Sequence, residues 1–134
     1  MQKTLIWVLS LLAGVCLTWP RQIRAEKVGF ERFCASWMQK LAERESVNLR
    51  TAQVRQRGER FILEYTGYDS KPTRCETRAT GVPENPLVGR LVYHELLYRK
   101  TSAELASIFD SVAEVIWSTE VLELFRYDGS RWLY

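Results

Sequence analysis

One histidine and three cysteines are the side chains of this sequence with the widest chemical range. His94 stands alone, so a metal site of several imidazoles cannot be built, and no metal or cofactor is implied. A mixed site with Glu95 or Glu64 is conceivable, but His94 and Glu95 are adjacent on a strand and point to opposite faces, so they cannot easily share a ligand. His94 therefore reads either as a half-buried, hydrogen-bonded ring or as a general acid or base. No serine sits in a G-x-S-x-G setting, and no glycine-rich phosphate loop occurs. Glu120 and Glu123 share a strand and read as solvated carboxylates, so no catalytic residue is assigned. The cysteines lack the C-x-x-C spacing of a thioredoxin-like redox pair and the C-x-x-C-H of covalent haem.

The compartment bears on what the cysteines do. Met1–Trp19 carries one lysine and then an apolar run of roughly fifteen residues, the length of a secretory h-region and short for a membrane span. Pro20 ends the run, and Ile23-Arg-Ala25 resembles a cleavage site. Residues 1–25 thus read as a signal peptide and 26–134 as a single exported domain, secreted or periplasmic. An uncleaved anchor or lipidation at Cys16 are the alternatives, and either would bring membrane contact. Residues 1–25 hold Lys3, Arg21 and Arg24 and no acid, so the net charge of +3 belongs to the leader. The rest is electrically balanced, which gives no bulk reason to bind nucleic acid. In an oxidising compartment Cys34 and Cys75 read as a disulfide, with two buried free thiols as the alternative. Closing a loop of about forty residues is worth ~3–4 kcal/mol in the chain-entropy model.

The elements around these residues follow from periodicity. Phe30, Phe33, Cys34, Trp37, Met38 and Leu41 draw one apolar helical face, predicting a helix over 28–45. Period-two segments follow at 49–56 and 60–67, joined at Arg57-Gly58, and at 73–80, where Cys75 shares the inward face with Thr77 and Ala79. Long strands are expected over 88–100 and 113–126, with a phase shift near Trp117 to Glu120 that suggests a bulge. Between them Thr101 and Glu104 suggest a capping box and a short helix over 102–110. Asp128-Gly129 is a hairpin turn signal before the returning Arg131–Tyr134. The fold class is α+β: an N-terminal amphipathic helix on a curved antiparallel sheet of about five to six strands.

In its element order the whole of 26–134 resembles the cystatin-like and NTF2-like rolls. Cystatin inhibitors carry Q-x-V-x-G, and the first hairpin here reads Gln53-Val-Arg-Gln-Arg-Gly58, so no inhibitory function carries over. An NTF2-like roll implies a small-molecule pocket, for which Tyr65, Tyr93, His94 and Trp117 are the candidate lining. Candidate partner contacts are Arg50, Arg55 and Arg57 around the first hairpin, and Tyr127, Trp132 and Tyr134 at the aromatic end. Sequence alone thus favours an exported, non-catalytic binding or accessory module of the cell envelope over a pocket protein that binds or transforms a small molecule. The partner would be another protein or a small-molecule ligand.

Overall fold

The computed structural model describes residues 19–134, with side chains described from Gly29 onward. The apolar leader run and Cys16 lie outside the described residues.

A helix, α1 (Trp19–Thr51), precedes six strands: β1 (Val54–Arg57), β2 (Arg60–Tyr68), β3 (Arg74–Ala79), β4 (Leu87–Ser102), β5 (Ala113–Tyr127) and β6 (Trp132–Leu133). They form one antiparallel sheet in the order β1-β2-β4-β5-β6, curled against α1 as an α+β roll. β4 is its spine. One edge pairs along most of its length with β5, while the other pairs first with β3 and then with β2. No helix among the described residues is long and apolar enough to cross a membrane.

The helical stripe meets the sheet as its spacing requires. Phe30, Cys34, Met38 and Leu41 are buried against Leu87, Leu91 and Tyr93 of β4, Phe125 of β5 and Trp132 of β6. The backbone of β4 approaches α1 so closely that a Cβ on Gly89 would lie 2.2 Å from the Phe30 ring. A second cluster, Leu63, Tyr65 and Ile108, fills the far end of the roll under Leu49 of α1. Cys34 is bonded to Cys75 of β3, with Cα atoms 6.4 Å apart. A structural disulfide of this kind persists in an oxidising compartment.

Four local expectations change. α1 outlasts 28–45, because the polar residues that seem to end it find partners. Ser46 and Thr51 donate to carbonyls four residues back, and the Asn48 amide donates to Thr66 O at 2.9 Å. The first strand consequently begins at Val54 and not at 49. The helix expected over 102–110 is a 3-10 turn, Leu105–Ser107. Thr101 stays in β4, so no capping box forms; the Ser102 hydroxyl instead accepts from Glu104 N at 3.1 Å. The last hairpin loop is four residues, not two, since Tyr127 pairs with Trp132. Asp128 Oδ1 there accepts from Ser130 N, Arg131 N and the Ser130 hydroxyl, and these bonds hold its carboxyl down at about 2. The expected bulge is present: Leu97 pairs with Trp117 but Tyr98 with Val115, leaving Ile116 as the extra residue.

Replacing both cysteines by alanine should lower the unfolding free energy by ~3–4 kcal/mol, chiefly by freeing the unfolded chain. Urea melts of the oxidised protein and of C34A/C75A measure this, and an unchanged midpoint would contradict a stapling role.

Candidate functional site

The four residues considered for a pocket are not brought together. Tyr65 is buried and stacks on Tyr98, its cross-strand neighbour, at 5.2 Å between centroids. Tyr93 is buried beneath α1, where its hydroxyl donates to Glu123 Oε1 at 3.2 Å. His94 is half-buried and turns to Asp69, and Trp117 is 68% exposed on β5.

Asp69 is the residue that the sequence concealed, since Tyr68–Pro72 reads only as a loop. Its Oδ2 accepts from the His94 backbone N at 2.7 Å and lies 2.9 Å from Nδ1 of the ring. A proton on Nδ1 satisfies the carboxylate and leaves the Nε2 lone pair free to accept a proton. The same two residues also bond through Asp69 N and His94 O, and Thr73 N donates to Val92 O. Backbone and side chain thus act together to fasten this loop onto β4. Beside it α1, the end of β2 and β4 enclose an open groove of about 580 Å³, walled by Glu45, Leu49, Tyr68, Asp69, Leu96 and Tyr98.

The candidate partner contacts also separate. Trp132 belongs to the core, half-buried Tyr127 packs against it, and Tyr134 is exposed at the chain end while stacking on Trp37. Arg55 and Arg57 line a second groove on the outer face of the sheet, and Arg50 is not in its lining. Arg50 instead occupies the last turn of α1, where a cation suits the helix dipole.

A further surface feature is the first half of β5. Every residue from Glu114 to Glu120 is exposed, on both faces of the strand. Val115, Ile116 and Trp117 sit there, and Leu105, Phe109 and Val112 of the preceding turn are exposed beside them. Only Arg126 and Tyr127 pair outward, with β6, so among the described residues the outer edge from Ala113 to Phe125 has no strand partner. A signal for this was present. Three adjacent apolar residues, Val115-Ile-Trp117, cannot all face one side of a strand, so at least one must look outward.

Comparison with protein-family models, curated proteins and solved structures found no match to this chain.

Burial, and then the Glu123 carboxylate, push the Tyr93 hydroxyl up to about 12. An unfolded tyrosine ionises near ~10. The stability tied to Tyr93 is complete below that value and is lost as pH rises from there towards about 12. Burial also raises Tyr65 and Tyr98, and a hydrogen bond to Glu123 raises Tyr134. Spectrophotometric titration should therefore lose only the latest phenolate step, at about pH 12, in Tyr93→Phe, while the other raised tyrosines remain. Glu123→Gln should move that step to lower pH. A Tyr93 that ionises with the exposed tyrosines would refute this burial.

Proposed function

We propose that this chain is an exported, non-catalytic binding or accessory module of the cell envelope. On this reading its contact is the exposed half of β5, which accepts an extended segment of a partner protein as an added strand. The observation that carries the proposal is the outer edge of β5, which has no strand partner among the described residues and lies between exposed apolar side chains. An unpaired edge with hydrophobic flanks is a template for strand addition unless something covers it. Glu114 and Glu120 flank Trp117 along this edge and favour a segment bearing Lys or Arg. They also disfavour a second copy, because antiparallel self-pairing centred on Trp117 sets Glu114 opposite Glu120. Export draws support from the leader pattern of residues 1–25 and from the Cys34–Cys75 bridge.

A second reading, a pocket protein for a small ligand, is favoured by the groove between α1 and β2–β4. That groove is open and does not contain the Tyr65–Tyr93–Trp117 lining, so the β5 reading is preferred.

A photocrosslinking amino acid in place of Trp117, expressed in the native host, tests the proposal. One adduct with a single envelope protein is expected, joined through an extended segment of that protein. The recovered chain should begin at Glu26, and the same probe at Lys40 on the solvated face of α1 should give no such adduct. Equal labelling from both positions would overturn the proposal, as would adducts only with a second copy of this chain.

A further inference from the structure

The β1–β2 hairpin carries a feature that partner docking at β5 does not use. On its outer face, opposite the buried Leu63 and Tyr65, the side chains of Gln53, Arg55, Arg57, Ile62, Glu64 and Arg99 enclose a groove of about 220 Å³. The register sets Arg55 opposite Ile62 and Arg57 opposite Arg60 across the turn at Gly58. Residues two apart on a strand share a face, so Arg55, Arg57 and Arg60 project together. Arg57 facing Arg60 is a like-charge cross-strand pair, which is unfavourable when nothing neutralises it.

No carboxylate among the described residues lies within 4.0 Å of these three guanidiniums. The acid inside the groove, Glu64, is already committed. Arg99 Nε and Nη2 both donate to its Oε1, at 2.8 and 2.5 Å. That pair uses up the negative charge of Glu64 and fixes the wall of the groove without neutralising the hairpin. Half-buried Ile62 supplies an apolar patch between the arginines.

We propose that this groove binds a phosphoryl group. Arg55 and Arg57 donate to its oxygens, the Gln53 amide adds a neutral donor, and the Glu64–Arg99 pair forms the fixed wall. A carboxylate would occupy one planar guanidinium, whereas a tetrahedral dianion offers oxygens to several at once. A long polyanion fits less well, because Glu59 in the turn and Glu114 opposite Arg99 interrupt the basic surface. The ligand is thus a single phosphate, either on a soluble ester or on a lipid headgroup. This inference does not depend on what docks at β5.

The test uses the purified oxidised protein at low ionic strength. Inorganic phosphate should raise its melting temperature saturably and shift the Arg55 and Arg57 side-chain N–H resonances. Arg55→Gln with Arg57→Gln should weaken binding by about tenfold or more, since each change removes a charge-assisted hydrogen bond. Arg50→Gln changes the charge by one on α1, outside the groove, and should leave binding intact. Because Arg55 and Arg57 are exposed, the double variant should melt no lower than wild type without phosphate. Flotation with phosphatidylcholine vesicles containing phosphatidic acid, but not with phosphatidylcholine alone, would identify the source as a headgroup. Phosphate binding without flotation would identify a soluble ester. The proposal is overturned if neither probe binds, or if Arg50→Gln weakens binding as much as the groove variants do.

Discussion

Phe30 occupies the space that any side chain at position 89 would need, and this contact sets the distance between helix and sheet. A glycine in the middle of a strand normally weakens it, because nothing is packed there and the unfolded chain has more freedom to lose. Here the missing side chain lets a phenylalanine from α1 reach the backbone of β4. Phe125 and Trp132 close around the same ring, at 6.2 and 4.5 Å between centroids. One residue of α1 thereby gathers three strands. The disulfide, one helical turn further on at Cys34, fixes the seam to β3 as well.

With the inner face of β4 committed to this seam, the surface left over is uneven. α1 covers β3, the start of β4 and the end of β5 with its first described turns, and β2 with its last. The first half of β5 extends past that cover and exposes both its faces. At the opposite edge the β1–β2 hairpin buries Phe61, Leu63 and Tyr65 inward and leaves its arginines outside. The two proposed contacts thus lie towards opposite edges of one sheet and differ in character. One is apolar and acidic with a free strand edge, and the other is cationic and concave.

Much of this was legible from periodicity. The spacing of Phe30, Cys34, Trp37 and Leu41 marks a buried helical face, and the alternation around Cys75 turns its thiol towards that face, which together indicate the bridge. What escaped depended on contacts remote in sequence. Asn48 looks like the end of a helix until Thr66 supplies an acceptor. Asp69 looks like a loop residue until His94 is seen against it. Strand alternation allows Tyr65, Tyr93, His94 and Trp117 to share a pocket, but Tyr93 lies beneath α1, Tyr65 is in the other core cluster, His94 turns to Asp69 and Trp117 points into solvent. Pairing partners decide such questions, and a strand's own alternation does not reveal them.

The contact between Phe30 and the bare backbone of β4 sets how closely helix and sheet pack. Equilibrium urea unfolding of Gly89→Ala tests it directly, with Gly29→Ala as the control. Gly29 lies on α1 with no heavy atom within 4 Å of an added Cβ, so alanine there should be neutral or stabilising by up to ~1 kcal/mol. Alanine at 89 must displace a buried ring and should cost ~1–3 kcal/mol. A Gly89→Ala protein as stable as wild type would show that β4 does not need to approach the helix this closely, and would contradict the Phe30 contact as what sets the helix–sheet distance.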